Sequence, residues 1–437
     1  MRVAPTLLPL GPLARHAGWH VMCKVSLAKH REECVRLPTM SENLNYTHDV
    51  VIVGGLGHVG LPLGIVFADK GLKVCLYDID PGKAELVRRG EMPFIEYGAE
   101  AILRKVLDNG NLEVSPDAEC IAKARHVIIA IGTPADEYLN PRVRAFLEFM
   151  TGIKRHLRTD QVIIVRSTVY PSTCRQMLKR LGESEPWLIA YCPERIVQGF
   201  AVKELNELPQ VVAGMSDEAA EKAAALFGIV SPKIIRTTIA EAELVKLFSN
   251  AWRYIQFAVT NQFYMISQSF GVDYNNVRRV MMDGYGRAAT LPSAGFTAGP
   301  CLLKDTMQLA AFNGNNFILG HAAMMINEGL PNFIVDQLRN KYDLTTKKVG
   351  ILGMAFKADV DDIRDSLSYK VGKILRFHGA TVLYSDEFVR DPTFVSKEDL
   401  LSHCDVVIVG SPHSAYKHLN IHNGTDVVDL WGIIPEN

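Results

Sequence analysis

Two stretches of this chain carry residue types and spacings that do chemistry. In the first, Gly55-Leu56-Gly57-His58-Val59-Gly60 follows an apolar run at 50–54 and opens a helix-like segment, and Asp78 closes the next apolar run. Glycine at the first position permits a tight turn, at the second lets backbone approach a pyrophosphate, and at the third lets the helix pack against the strand. The helix start adds free amides and a positive dipole end. Asp78 is placed to accept hydrogen bonds from an adenosine ribose and to repel a 2'-phosphate, so the expected cofactor is NAD rather than NADP, held by Gly55, Gly57, His58, Val59, Gly60 and Asp78. The second stretch is Ala298-Gly299-Pro300-Cys301-Leu302-Leu303-Lys304-Asp305. Cys301 is either a buried, inert thiol or a nucleophile, since only the thiolate attacks and burial disfavours it; the Gly-Pro turn and the Lys304-Asp305 pair make a shaped, charged setting for the second reading.

Three further groups stand where ligands bind. Lys246, Asn250 and Arg253 fall at i, i+4 and i+7 of one helical stripe, which either meets an anionic or oxyanionic ligand or is a solvated face. Ile131-Gly132-Thr133-Pro134 and Ser167-Thr168-Val169 end two apolar runs, the edge at which open α/β sheets take ligands, although ordinary turn chemistry explains the same letters.

The elements that must position these groups are legible as alternating patterns. Apolar runs at 50–55, 73–78, 126–132, 161–167 and 187–192, separated by helix-like stretches, indicate parallel strands covered on both faces. From 240 to 268 the spacing of Leu244, Leu247, Phe248, Trp252, Ile255, Val259 and Phe263 predicts one long amphipathic helix, with helical sequence continuing to about 338. Strand-like runs return at 347–354, 380–386, 405–411 and 426–432. The expected fold is α/β: a doubly wound Rossmann-like domain, a central long-helix segment and a smaller Rossmann-like domain. The boundaries expected are a leader over 1–46, a cofactor domain over 47–233, a central segment over 234–338 and a last domain over 339–437. The leader holds Arg2, Arg15, Lys24, Lys29, Arg31 and Arg36 against Glu32 and Glu33, lacks a secretory pattern, and reads as a disordered extension before a start at Met40.

With 437 residues, 47 Lys and Arg against 48 Asp and Glu, and a net charge of -1, the chain has no global electrostatic case for nucleic acid or an anionic membrane. Its eight cysteines fall singly, with no metal-type spacing, which points to a reduced cytoplasmic setting and no metal. The uncharged stretch over 50–68 imitates a membrane span, but five glycines and Pro62 break it.

At these residues the chain resembles the UDP-glucose/GDP-mannose dehydrogenase family over about 47–433, because separate motifs occur in the family's order. The 55–60 loop is similar to its first-strand turn, Thr133-Pro134 and Ser167-Thr168-Val169 to its nicotinamide-side turns, and Cys192-Pro193-Glu194-Arg195 to its substrate strand end. Lys246, Asn250 and Arg253 fall where its central helix carries catalytic and sugar-binding groups, 301–305 resembles its nucleophile segment, and Phe356-Lys357 with Arg364 the start of its third domain. The resemblance implies oxidation of a nucleotide sugar's C6 alcohol to a carboxylate with two NAD in succession. Catalytic roles would fall to Cys301 as the thiohemiacetal- and thioester-forming nucleophile, Lys246 and Asn250 as oxyanion donors, and Asp305, Glu194 and Thr168 as handlers of protons and water. Arg195, Ile196, Arg253, Arg287, Phe356 and Lys357, with Lys246 and Asn250, would hold the substrate, and Thr133, Thr168 and Arg364 would reach the NAD.

Cys-Pro-Glu-Arg at 192–195 is nearer to the UDP-N-acetylmannosamine branch than to UDP-glucose enzymes. Departures are Phe296, with a bulk that a sugar-cradling loop would not expect, and Ala298 in the loop before Cys301, with Tyr285 and Pro300 where that branch often has His; they leave the sugar and base open. Two other readings remain: a two-electron hydroxyacid-type dehydrogenase, which needs no nucleophile at 301, and a non-catalytic NAD or nucleotide-sugar binder. The wide apolar face of the central helix predicts a homodimer or higher homo-oligomer, with Arg287 reaching the other copy's site.

Overall fold

The computed structural model describes residues 46–133, 135–136, 141–297, 299–419, 421 and 424–434. Apart from Tyr46, the leader, including Met40, lies outside them, as do Pro134 and Ala298. Tyr46 is tied to the fold rather than to a leader: the Arg158 guanidinium stacks 5.0 Å over its ring, and the next residue's amide, at Thr47, donates to Lys123 O.

Eight strands make the first sheet: β1 (His48–Val53), β2 (Val74–Tyr77), β3 (Leu112–Ser115), β4 (Ala124–Ile129), β5 (Val162–Val165), β6 (Leu188–Tyr191), β7 (Gln210–Gly214) and β8 (Ile234–Arg236). Their order is β3-β2-β1-β4-β5-β6-β7-β8, parallel except where β7 runs against β6. The core explains why the strands read as unbroken apolar runs. Val50 and Ile52 pack into the cluster on one face and Val51 and Val53 into that on the other, each with the helices of its side. The strand order reverses between β1 and β4, which opens a crevice beyond the carboxyl ends of the strands at the glycine loop. β3, β7 and β8 were not among the five runs expected. β3 is only half apolar, and β8 is short and mostly exposed. Because β8 pairs with β7, the first sheet continues past 233.

The long helix spans Ile239–Ser269, about 46 Å at 1.5 Å per residue. A capping box of Thr238 and Glu241 starts it. Helices Leu302–Phe312 and Ile318–Lys341 pack along it. Its remaining apolar stripe is uncovered: Phe248, Trp252 (61% exposed), Val259, Phe263, Ile266 and Phe270 face outward.

The last sheet has β9 (Lys348–Leu352), β10 (Thr381–Ser385), β11 (Val406–Val409) and β12 (Asp426–Val428), all parallel in the order β10-β9-β11-β12. One core joins it to the central helices, with Tyr264, Leu330, Ile334 and Leu338 packed together with Val349, Ile351 and Val371. Among the described residues no helix is long and apolar enough to cross a membrane.

Candidate active site

The glycine loop is built as a cradle. Gly54 turns the chain at φ +79°, and a Cβ on Gly55 would lie 2.8 Å from Leu76 Cα on the neighbouring strand. A Cβ on Gly60 would overlap Gly54, so that glycine lets the helix Gly60–Asp69 sit tight on the strand. Gly57 differs: its φ is not left-handed and an added Cβ would meet only Gly54 O, at 3.5 Å. The fold therefore does not require glycine at 57, and the space beside it suits the close approach of a ligand. Val59 caps the helix without a side-chain bond to its first amides. Asp78 accepts from Leu56 N (3.0 Å) and Asp80 N (3.2 Å), keeps part of its surface open, and has lone pairs to spare for ribose hydroxyls. These features fit NAD.

Cys301 is the N-cap residue of the helix Leu302–Phe312, one turn before Asp305, whose amide donates to Cys301 O at 2.8 Å. Part of the residue is open to solvent, yet the surrounding protein is dense. Desolvation pushes its thiol above the usual cysteine value and the Asp305 charge adds to this, while Lys246, Lys304 and Arg364 pull the other way. The cysteine thus stands amid three cations and one carboxylate. Asp305 is fully buried; it accepts from Asn250 Nδ2 (2.6 Å) and pairs with Lys304 Nζ (3.0 Å). Lys304 Nζ continues to Thr133 O (3.1 Å), and Thr133 Oγ1 donates to Thr168 O (2.6 Å). One chain of contacts therefore joins the helix that Cys301 caps to the ends of β4 and β5. Lys246 is 9% exposed and has no hydrogen bond or ion pair to another described residue, an arrangement suited to an anionic ligand.

Arg364 grips Asp362 with Nε (2.9 Å) and Nη2 (2.6 Å). Its charge is felt both by Cys301 and by His58, so it stands between the glycine loop and Cys301. Burial first, and Arg364 second, lower the His58 pKa to about 4, leaving a neutral ring that accepts from Gln198 Nε2 at 3.1 Å. Lys357 Nζ donates to Gln198 O (2.8 Å); burial depresses its pKa, Glu204 resists, and Arg253 adds to the fall. Arg253, exposed on the long helix, and Lys357 thus form a cationic pair suited to a diphosphate. Phe356 lies flat against Gly299, where a Cβ would come within 2.6 Å of its ring.

Three expected contacts, those of Glu194, Ile196 and Arg195, are placed differently. The Glu194 carboxylate is ion-paired with fully buried Arg166 and accepts from the amides of Arg195 (2.7 Å) and Ile196 (2.8 Å). Arg166 also donates to Gln210 Oε1 (2.7 Å), so Glu194 belongs to a buried network. The Ile196 amide is consequently spent within the protein, and the Arg195 guanidinium turns to Pro209 O. Arg287 is exposed beside Tyr285 (3.4 Å), and no described contact joins it to the Cys301 cluster. Phe296, whose bulk argued against a sugar-cradling loop, is buried in the core between the central helices and the last sheet.

Gln198 and Asp362 bridge the first and last sheets (3.0 Å) and were not singled out from the sequence, where isolated amides and acids carry no spacing signal. Lys304 was singled out with Asp305, but its reach to Thr133 was not. Strand pairing also gathers His48, Cys75 and Glu113, with ligand atoms within 4.8 Å of one another and a 2.9 Å ion pair between His48 and Glu113, a group that sequence spacing conceals.

Residues 49–229 match the sequence model of the UDP-glucose/GDP-mannose dehydrogenase family's NAD binding domain, 240–328 that of its central domain and 350–435 that of its UDP binding domain. The chain is 29% identical over 388 residues to UDP-N-acetyl-D-mannosamine dehydrogenase of Pyrococcus horikoshii, covering 85% of this chain and 91% of that protein. With the Methanocaldococcus jannaschii protein of the same name it shares 27% over 383 residues, 85% of this chain and 87% of that one. The structure is similar to that of UDP-D-ManNAc dehydrogenase from P. horikoshii (TM-score 0.83, 26% identity, 89% and 96% of the two chains). It is also similar to a UDP-glucose dehydrogenase from Pyrobaculum islandicum (TM-score 0.81, 26% identity, 90% and 96%).

Proposed function

We propose that this chain, which belongs to the UDP-glucose/GDP-mannose dehydrogenase family, oxidises the C6 alcohol of a UDP-N-acetylhexosamine such as UDP-N-acetylmannosamine, or of UDP-glucose, to the carboxylate with NAD. The observation that carries the reading is Cys301 set among Lys246, Lys304, Arg364 and Asp305. A two-electron hydroxyacid-type oxidation has no use for such a nucleophile, and a mere binder has no need of an unpaired, buried lysine beside it.

When bound in the cradle of Gly55, Gly57, Gly60 and Asp78, NAD accepts a hydride in each of the two oxidations. Lys246 and Asn250 hold the sugar's C6 oxygen as its hydroxyl proton passes through water and Asp305 to solvent and negative charge develops on it. At the aldehyde stage the Cys301 thiolate adds to C6, and the thiohemiacetal oxygen meets the same donors. The thioester that follows is opened by water, whose proton passes to Asp305, and sulfur leaves as the thiolate. Thr168 positions the water from the end of β5. Glu194, ion-paired with Arg166 and accepting two amides, acts by holding the 192–196 segment. Arg253 and Lys357 neutralise the diphosphate, Phe356 packs beside the sugar, and Arg364 reaches the NAD.

We assign 47–233, completed by β8, to NAD, the remainder up to 338 to catalysis and dimerisation, and 339–437 to the nucleotide sugar. The uncovered stripe from Phe248 to Phe270 is the expected homodimer seam, across which exposed Arg287 serves the other copy. The six free cysteines of the described residues suit a cytoplasmic protein.

The test is to count NADH formed per nucleotide sugar across a sugar panel and to confirm the carboxylate by mass. Two NADH support the proposal, one returns the two-electron reading, and none the binder. Cys301→Ala should abolish carboxylate formation while sparing nucleotide-sugar binding, and Cys301→Ser should accumulate a covalent adduct visible as added mass. Two-NADH turnover by Cys301→Ala would defeat the mechanism.

A further inference from the structure

The last sheet repeats the geometry of the cofactor cradle with one change. After β1, Gly54 turns at φ +79° and the following loop donates Leu56 N to Asp78, the acid just past β2. After β9, Gly353 turns at φ +91°, and the loop donates Met354 N (2.6 Å) and Ala355 N (3.0 Å) to Oδ2 of Asp386, the acid just past β10. Phe388 N (2.8 Å) and Val389 N (3.0 Å) fill Asp386 Oδ1. The change is His413, fully buried in the segment after β11, whose Nε2 lies 3.0 Å from Asp386 Oδ2. His413 Nδ1 accepts from Asp359 N at 2.8 Å, which places the ring proton on Nε2 and makes it a donor to Asp386. Whereas Asp78 remains open to a ribose, Asp386 takes five donors and is closed to solvent. Burial pushes the Asp386 carboxyl up, but His413 and the amides outweigh it and hold it at about 2.

The same pair holds the loop at both ends. Asp386 takes the amides of 354 and 355, and His413 that of Asp359, which sits at φ +56°, a backbone region costly for a residue with a Cβ. Ser414 N (2.8 Å) and Oγ (3.0 Å) donate to the Asp359 side chain and keep it there. Between these anchors stand Phe356, against Gly299 of the nucleophile loop, and Lys357, bound to Gln198 O.

We infer that the Asp386–His413 pair is a positioning device: it closes off the last sheet's counterpart of the cofactor-binding acid and clamps residues 353–359, so that Phe356 and Lys357 are presented to the nucleotide sugar. The inference rests on the reading of this sheet as the nucleotide-sugar domain. A backbone loop locked by buried, fully satisfied partners offers its side chains without an ordering cost at binding.

The experiment measures UDP binding by calorimetry together with steady-state kinetics for His413→Ala, His413→Asn and Ser414→Ala in the full chain. His413→Ala should weaken UDP and raise the nucleotide-sugar KM at least tenfold, with kcat at saturation within threefold and the KM for NAD within twofold. His413→Asn, whose amide oxygen can take over from Nδ1, should recover part of the loss. Ser414→Ala, which removes one hydroxyl, should weaken UDP about threefold and gives the same reading if His413→Ala does not fold. A lowered melting temperature with unchanged UDP affinity, or an NAD KM that rises with the sugar KM, overturns the clamp. Failure of the wild-type protein to bind UDP overturns the domain reading and the clamp with it.

Discussion

Asp305→Asn separates the two things the Asp305 charge does. The carboxylate lies one helical turn from Cys301 and is the second cause, after desolvation, of its raised thiol pKa; Lys246, Lys304 and Arg364 oppose it. Asparagine keeps an oxygen for Asn250 but removes the negative charge, so the three cations act less opposed. A unit charge at close range moves a pKa by ~1–3 units. Because Cys301 is partly open to solvent, the lower end applies. A shift of ~1 unit is ~1.4 kcal/mol, or about tenfold more thiolate at neutral pH. The assay is the rate of iodoacetamide alkylation from pH 6 to 10, with the site verified by peptide mass; the other described cysteines are buried and serve as internal controls. The inflection should fall by about one unit. Turnover should nonetheless drop by about a hundredfold, the usual scale for losing a general base. An inflection that stays put or rises would refute the electrostatic account. Turnover that climbs with the thiolate would remove Asp305 from the proton chemistry.

Gly57→Ala should fold with a melting temperature close to wild type yet raise the NAD KM at least tenfold, whereas Gly60→Ala should destabilise the fold, because only the latter Cβ overlaps protein; equal melting losses would count against a cradle reserved for ligand. His58 titrates near 4 in the fold against 6.5 unfolded, so the unfolded chain binds the proton first and stability falls as pH drops through that window, by about 3 kcal/mol. His58→Gln should flatten urea-unfolding free energy between pH 6.5 and 4, and an unaltered slope would exclude His58 as the cause. Asp78 should favour NAD over NADP by ~2–4 kcal/mol, on the order of 30- to 1,000-fold in kcat/KM, so comparable turnover with NADP would sink that role.

The strands read most easily were those apolar on both faces. β1, β4, β5 and β6 are covered by clusters on either side; β7 is covered likewise, but its apolar run is only Val211 to Ala213 and was passed over. β3 carries Glu113 and Ser115, and β8 ends in Ile235 and Arg236 facing outward; an edge strand buried on one face, or on neither, loses the pattern that announces it. The long helix was legible from end to end because it breaks nowhere and carries its own capping box. Phe296 shows the limit of reading bulk from a loop. Its size would obstruct a sugar only if it pointed at one, and the fold sends it into the core beside Tyr264 and Leu330.

The carboxylates show why residue type was readable and chemical role was not. Glu194 and Asp305 are both buried acids near strand or helix ends, and a linear motif cannot say which cation each will meet. The fold supplies Glu194 with Arg166, itself locked by Gln210 and by the carbonyl of Cys192 at 3.0 Å, and with two backbone amides. Removing that carboxylate would leave a buried guanidinium without its counter-charge, a loss of about 3–5 kcal/mol. Asp305 is held differently: Oδ2 takes one amide donor, and Oδ1 has only the Lys304 ion pair and no hydrogen bond of good geometry. Lys304 can satisfy itself at Thr133 O when that pair loosens. Of the two acids, Asp305 is therefore the one with an oxygen left without a hydrogen bond, and it is also the one whose helix begins at Cys301.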